Sequence, residues 1–273
     1  MSKLSQDFTE EEHDTVEELT VPGAPIIYEV ISQEGEEELQ RPFKSLFWAG
    51  IAAGLLISLS VYAEASLRAG LGDVAWRGLV ENLGYSVGFV VVVLGRLQLF
   101  TENTITTVAP LLITPSWIKL QKTARLWLIV FIANMIGTFI AAAFFHFLPV
   151  ATPEIATAFG ELSRHIFEFS LIEKITKGIL AGVIIATMVW VLPNARSSAF
   201  WVIVLFTYFI ALGDLTHVVA GAVEAFYAAL QNDVSFYTAI VSYILPTLLG
   251  NVLGGTFVFT LLVYAQIVPE VES

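Results

Sequence analysis

Long apolar runs recur along this sequence, and they constrain the fold more than any other feature. The runs lie roughly at residues 43–64, 79–100, 124–148, 171–192, 198–230 and 236–267. Most of them are near the ~20 residues that an α-helix needs to span a bilayer. With 56% hydrophobic and only 14% charged residues, the chain is far more apolar than a soluble domain. The sequence predicts an all-α integral membrane protein with six spans in residues 41–267 and a short C-terminal tail at 268–273.

The first 40 residues differ from the rest in charge. They hold twelve Asp or Glu against Lys3 alone, in a chain whose net charge is −12. Such acidic segments are usually solvated, and this one argues against binding to nucleic acid or to an anionic lipid surface. No cleavable signal is predicted, because the segment has no apolar core. Pro25 predicts a short amphipathic helix over residues 24–40. This helix lies along the membrane, caps a pore mouth or belongs to a tail that adheres non-specifically.

The basic residues near the span ends bear on the orientation in the membrane. Six of them fall on the side of the N-terminus and five on the other side. This bias is too small for the positive-inside rule to decide the orientation. An even number of spans places both termini on the same side, and we expect that side to be the cytoplasm.

Two halves of the chain resemble each other, with a predicted surface helix between Val150 and Ser170 separating them. The segment 50–54 in span one is similar to 178–182 in span four, and 134–139 in span three is similar to 251–257 in span six. Small residues at this spacing also let helices pack closely, so chance similarity is the alternative. Three spans per half invert the second copy, which places substrate sites at the membrane midplane where corresponding helices are broken. We therefore predict two inverted three-helix repeats.

Polar, helix-breaking stretches interrupt the second and fifth spans at residues 99–104 and 212–217. Lipid cannot satisfy the free N–H and C=O groups of irregular backbone, so such backbone is buried in protein or lines a watery cavity. The offset between the halves, carried back from Thr216 and His217, falls at about Thr101. The sequence thus predicts broken second and fifth helices that face one central site.

Side chains at these breaks are the candidate site residues. The candidates for lining the pore or binding substrate are His217, Thr101, Leu99, Phe100, Glu102, Asn103, Asp214 and Thr216. Structural roles at the breaks are predicted for Asn134, Asn251, Gly213 and Arg96.

Several of these residues have a second interpretation. His217 is either a pore residue or a buried histidine bonded to a neighbouring carbonyl, and Thr101 either contacts substrate or caps a helix. Intramembrane charges usually find partners, so Glu102 and Asp214 either face the solute or play structural parts, with Arg96 as the natural counter-ion. Glu224, two helical turns past His217, lines the outer half of the pore or meets a neighbouring protomer.

The chemistry of His217 and Thr101 suits a weak acid. An anion stripped of water between apolar walls meets a large desolvation penalty, whereas a neutral acid does not. A histidine with an ordinary pKa of about 6.5 holds a proton near neutral pH. Our hypothesis is that His217 protonates or electrostatically holds a weak-acid anion, with the Thr101 hydroxyl on the same oxygen, so that transport is coupled to proton movement.

Several motifs together resemble the formate/nitrite transporter family over about 230 residues. They are Leu99-Phe100-Thr101, the Gly-Ile-Leu of span four, His217 in span five and the Pro246 to Gly255 segment of span six. The strings around Thr101 and His217 resemble in particular its YfdC-like inner-membrane branch. The resemblance implies a homopentamer with an aquaporin-like protomer in the inner membrane and one pore per protomer. It also implies passage of formate, nitrite, hydrosulfide or lactate, or their conjugate acids.

By the same resemblance, Leu99 and Phe100 form the cytoplasmic constriction, Thr101 faces the central chamber and His217 stands opposite. The sequence also departs from the family pattern. Gly182 and Gly221 stand where family members commonly carry an asparagine, Thr216 replaces the acid before the histidine, and Glu102 adds a carboxyl beside Thr101. These departures leave the solute and its charge open.

Three alternatives to an anion pore follow from the residues. One is a channel for neutral solutes or cations on the same fold, with Glu102 and Asp214 setting an acidic field. Another is a pentamer whose acidic tail has a mainly regulatory or partner-binding role. An intramembrane enzyme is not expected, because Asp214 has no aspartate partner and no triad stands out. No metal site or cofactor is expected either, since the four histidines are scattered. The expected partners are the solute, membrane lipid and further copies of the chain.

Overall fold

A computed structural model describes residues 9, 11, 12, 15 and 21–272, with side chains up to residue 269. Most of the predicted acidic tail, apart from its last helix, lies outside the described residues. Within the described part of the chain all regular structure is helical. The helices are α1 (Ala24–Gln40), α2 (Phe43–Leu71), α3 (Arg77–Leu94), α4 (Asn103–Ile113), α5 (Trp117–Phe147), α6 (Pro153–His165), α7 (Leu171–Val191), α8 (Ala199–Leu212), α9 (Val218–Leu230) and α10 (Phe236–Pro269).

Five of the described helices are long and apolar enough to cross a membrane, namely α2, α3, α5, α7 and α10. The remaining predicted span is made by two shorter apolar helices, α8 and α9, which are separated by the break at residues 213–217. In the same way α3 stops at Leu94 and α4 starts at Asn103. The predicted breaks in the second and fifth spans are thus confirmed, and the protein is an integral membrane protein.

Polar side chains set where several helices begin. Ser116 accepts the Lys119 N–H at the start of α5, and Ser170 forms a reciprocal capping box with Glu173 at the start of α7. The surface helix expected between Val150 and Ser170 is α6, whose first residue is Pro153. α10 contains two π-helical segments, Ala239–Ile244 and Leu253–Thr260, and its backbone stays helical to Glu272.

The two halves repeat the same helix crossing. Where α2 crosses α5, a Cβ at Gly54 would overlap the backbone carbonyl of Asn134. Where α7 crosses α10, a Cβ at Gly182 would overlap the carbonyl of Asn251. Glycine at each position lets the backbones meet directly, as small residues do between membrane helices. The predicted pair of three-helix repeats is therefore present, and Gly182 is required by this crossing.

Helix α1 packs tightly against the rest of the protein. The Tyr28 hydroxyl donates a 2.9 Å hydrogen bond to the Ala109 carbonyl, and Glu36 pairs with Lys119. A Cβ at Gly35 would overlap the backbone of Thr106, so α1 lies directly on α4. This contact makes α1 part of the wall around the helix break that precedes α4.

Candidate functional site

Asn134 holds the first break through three hydrogen bonds. Its side-chain oxygen accepts the Phe100 N–H at 2.9 Å, and its amide nitrogen donates to the carbonyls of Gly50 and Gln98 at 2.8 Å each. The side chain is completely buried, so no water replaces these contacts. Asn134 thereby satisfies backbone groups that the interrupted helix leaves free.

Asn251 holds the second break in the same way. Its side-chain oxygen accepts the Val218 N–H at 2.8 Å, and its amide nitrogen donates to the carbonyls of Gly178 and Thr216 at 2.9 and 3.0 Å. Asn251 is also completely buried. Each half of the protein thus uses one asparagine of its last helix to fix the backbone of its break.

These matched bonds give the register between the two breaks. Phe100 and Val218 occupy equivalent positions, because each donates its N–H to the asparagine of its own half. His217 is then the structural equivalent of Leu99, and the offset between the breaks is 118 residues, slightly more than the offset that placed Thr216 and His217 at about Thr101. The offset differs because the two breaks are not the same distance in sequence from the motifs that we compared.

Thr101 and His217 nevertheless meet across the centre of the protein. The Thr101 Oγ1 lies 2.8 Å from the His217 Nε2, and each residue is only 1% exposed. The Phe89 ring packs edge-on against the imidazole, with the ring centroids 5.0 Å apart. One break therefore supplies a hydroxyl and the other an imidazole to a single buried polar pair.

A backbone contact fixes the proton position on His217. The Ala220 N–H donates to the His217 Nδ1 at 3.2 Å, which makes His217 the N-cap of α9. Because Nδ1 accepts, the proton of the neutral ring lies on Nε2, which donates to the Thr101 Oγ1. The hydroxyl of Thr101 keeps its own proton for a further acceptor.

A cavity approaches this pair from each end of α7. The inner cavity, of about 510 Å³, lies near the end of α7 and includes Leu99 in its wall. The outer cavity, of about 230 Å³, lies near the start of α7 and includes His217 in its wall. Since α7 has 21 residues, its two ends lie ~30 Å apart. His217 of the pair lines the outer cavity, and Thr101 lies between Leu99 and Glu102, which line the inner one.

Three of the predicted pore residues, Leu99, Glu102 and Asn103, line the inner cavity, and Arg96 lines it too. The Asn103 amide donates to the Gln98 side chain at 3.2 Å. Glu102 Oε1 is buried and has no hydrogen-bond partner in the described part of the chain.

Phe100 is placed differently from the other residues of its break. Its ring packs edge-on against the rings of Trp127 and Phe131, with centroids 5.7 and 5.3 Å away. The residue is 3% exposed, and it is absent from the walls of both cavities. Of the two residues expected at the constriction, only Leu99 therefore meets the inner cavity.

Arg96 does not pair with Glu102. Its guanidinium lies 3.3 Å from Glu34 of α1, and the side chain is 75% exposed. Its φ of +49° belongs to the left-handed region that few residues other than glycine adopt. The break turns at Arg96, and the guanidinium contacts Glu34 of α1 instead of the buried carboxyl.

Asp214 and Thr216 have local partners at the second break. Asp214 contacts Lys177 at 3.4 Å and His165 at 3.2 Å, and Thr216 donates its hydroxyl to the Lys174 carbonyl at 2.8 Å. Gly213 ends α8 and accordingly belongs to the turn of the break. Asp214 and Thr216 both line the outer cavity, with Asp214 already neutralised by its neighbours.

The sequence analysis missed several polar residues of the outer cavity. Glu64, Glu81, Tyr85 and Tyr243 all line it. Glu64 carried a usable signal, because it is a carboxyl at the end of the first apolar run, and ionisable residues in spans usually mark functional sites. The tyrosines carried none, since only the fold brings them to the same cavity.

Comparison with known proteins agrees with this architecture. The sequence profile described as formate/nitrite transporter matches residues 25–265. The chain belongs to the formate/nitrite transporter family. As a member of this family it is a membrane transport protein and not an enzyme.

Relatives within the formate/nitrite transporter family include inner membrane protein YfdC of Escherichia coli, which is 40% identical over 92% of this chain and 81% of its own. Formate channel FocA of Haemophilus influenzae is 26% identical over 79% of this chain and 84% of its own. A solved pentameric formate channel with formate bound superposes with a TM-score of 0.69 at 21% identity, covering 82% of this chain and 97% of the other. The family fold is therefore shared over most of the chain.

Proposed function

We propose that this transporter passes small monovalent weak acids, such as formate or nitrite with their protons, through one pore per protomer. The observation that carries the proposal is the buried Thr101–His217 pair between two cavities at opposite ends of α7. Its donors suit an acid oxygen, and Leu99 and Phe89 beside it exclude water. The formate channel among its relatives supports this class of solute.

The lining of both cavities favours the neutral acid over the bare anion at the centre. In each cavity acidic side chains outnumber arginines, with Glu34, Glu38 and Glu102 on the inner side. An anion that loses its water there meets both a desolvation penalty and an acidic field. The acid therefore crosses with its own proton, and transport carries one proton for each acid.

The contacts of His217 favour the role of a hydrogen-bond donor. A proton added to the ring would have to displace the Ala220 N–H from Nδ1. It would also place a positive charge at the N-terminus of α9, where the helix dipole opposes it. His217 thus donates from Nε2 and leaves the proton on the acid.

We further propose a homopentamer in a bacterial inner membrane with both termini cytoplasmic. The solved pentameric relative supports the pentamer, and the inner membrane relative supports the membrane. In this orientation α1 lies beside the inner cavity on the cytoplasmic side, and residues 1–40 are a cytoplasmic segment that precedes the six-span domain 41–267. Native mass spectrometry of the protein with bound lipid tests the pentamer, and protease access to tagged termini tests the orientation.

Solute flux into proteoliposomes tests the function. The panel is formate, nitrite, lactate and hydrosulfide, with glycerol and ammonium representing neutral solutes and cations. We expect weak-acid flux that rises as the external pH falls, because the neutral fraction of the acid rises. Passage of glycerol or ammonium alone would support the rival channel, and a chain without residues 1–22 tests a regulatory tail. If the chain without residues 1–22 has the same flux as the full chain, the tail does not regulate transport.

A further inference from the structure

The outer cavity contains carboxyl groups of two kinds. Glu81 contacts Arg68 at 3.0 Å and Arg77 at 3.2 Å, and Asp214 contacts Lys177 and His165. These two carboxylates are compensated by basic side chains. Glu64 of α2 and Glu224 of α9 also line the cavity, but neither has a hydrogen bond or ion pair with any described residue.

Glu64 is only 8% exposed, and its nearest basic neighbour on α2 is already occupied. The Arg68 guanidinium binds Glu81 and Glu161, each at 3.0 Å. Intramembrane charges usually pair with another group, so two carboxyls without a protein partner in one cavity indicate a ligand that binds from solution.

Two tyrosines of the cavity also indicate a ligand. Tyr85 is 7% exposed and lines the cavity, and its hydroxyl makes no hydrogen bond with any group that the structure describes. The Tyr243 hydroxyl reaches the cavity beside Gly221, where a Cβ would overlap it. Gly221 therefore leaves room for a phenol oxygen one helical turn beyond His217.

We propose that Glu64, Glu224, Tyr85 and Tyr243 form a binding site for a small monovalent cation in the outer cavity. Carboxylate and phenol oxygens are ligands for such an ion. Ca²⁺ takes about 6–8 oxygen ligands, and these four side chains offer six only if both carboxylates bind through both of their oxygens. A cavity of about 230 Å³ holds the ion together with several waters.

The bound cation changes the path of the acid as well. It offsets the charge of Glu64 and Glu224 just outside the Thr101–His217 pair. The acid, which crosses with its own proton, then approaches the central pair from outside through a weaker acidic field. The site adds to the proposed function but does not rest on it, because cation binding is measured without any solute flux.

Isothermal titration of the full chain in lipid nanodiscs tests the site, with NH4⁺, Na⁺ and K⁺ as probes and choline at equal ionic strength as the blank. We expect saturable binding of at least one probe, weakened tenfold or more in Glu64→Gln and in Glu224→Gln. The control is Glu154→Gln, an exposed carboxylate of α6, which should bind like the unmodified chain. Absence of saturable binding in the unmodified chain, or equal binding in all variants, would overturn the proposal.

Carbodiimide labelling gives a second readout that needs no variant to fold. The reagent modifies accessible carboxyl groups, and mass spectrometry of the peptides locates the label. We expect the probe that binds to slow labelling of Glu64 and Glu224 while choline does not. Labelling that no probe slows means that the two carboxyls hold no cation, and the proposal fails.

Discussion

The two helix breaks share a backbone scaffold and differ in the side chains that they present. Asn134 and Asn251 each accept one N–H and donate to two carbonyls. The first break presents Leu99 and Thr101 to the centre, whereas the second presents His217 at the position equivalent to Leu99. An apolar barrier thus faces the inner cavity, and an imidazole faces the outer one.

This difference teaches that scaffold and chemistry are separable in this fold. The asparagines are duplicated because both halves must satisfy the same freed backbone groups, and the glycines because both halves need the same close helix crossing. The polar pair is not duplicated, since one Thr and one His suffice when the breaks face each other. Changes to the scaffold should therefore act on both halves alike, and changes to the pair should act on transport.

Removal of either asparagine should have the largest effect. Asn134→Ala and Asn251→Ala should each lower the free energy of unfolding by at least about 3 kcal/mol, since each buried backbone group left unbonded costs roughly 1–3 kcal/mol. Chemical unfolding in detergent measures this change. Asn194→Ala, at an exposed position, should stay close to the unmodified protein. A large loss at only one of the two buried asparagines would break the equivalence.

The helix crossings should tolerate alanine poorly in both halves. Gly54→Ala and Gly182→Ala push a methyl group into a backbone carbonyl, so we expect each to lower the unfolding free energy by about 1–3 kcal/mol. Gly70→Ala is the matched control, because a Cβ there meets open space in α2. It should be neutral or stabilise by roughly 0.5–1 kcal/mol. Equal effects at all three positions would contradict the close crossing.

Much of this scaffold was predictable from the sequence. Apolar runs, broken spans and the repeated Gly and Asn motifs are local features, and they gave the six spans and the two inverted repeats. The exact register between the two breaks was not predictable, because it depends on which backbone N–H each asparagine binds. Glu64 and Tyr243 share a cavity only after α2 and α10 pack. Arg96 contacts Glu34 because Arg96 itself adopts a left-handed backbone conformation, which the sequence does not reveal.

Two substitutions of His217 should distinguish its role as the N-cap of α9 from its role as a hydrogen-bond donor. His217→Ala removes the N-cap of α9 and should cost about 1 kcal/mol of stability, together with a loss of weak-acid flux. His217→Asn keeps a capping oxygen, so stability should stay within about 0.5 kcal/mol while flux still falls. Thermal unfolding and proteoliposome flux on the same samples measure both. Full flux in the Asn variant would contradict a role for the imidazole.

The smallest expected effect comes from making the first break resemble the second. Thr101→Val places at position 101 the side chain of its structural equivalent, Val219. It removes one hydrogen bond worth about 1 kcal/mol. Weak-acid flux should fall by roughly fivefold, with one tenfold step corresponding to about 1.4 kcal/mol. Thr101→Ser retains the hydroxyl and should differ from the unmodified protein by less than about twofold. A Ser variant as slow as the Val variant would assign the effect to packing.

The central claim is that two breaks from opposite halves build one site. A double-mutant cycle on formate flux, with Thr101→Val, His217→Asn and the double variant in proteoliposomes, tests this claim most directly. If the 2.8 Å Thr101–His217 pair acts as a unit, the double variant should be no slower than the slower single variant. Flux losses that simply multiply would show that the two residues act independently and would contradict the account.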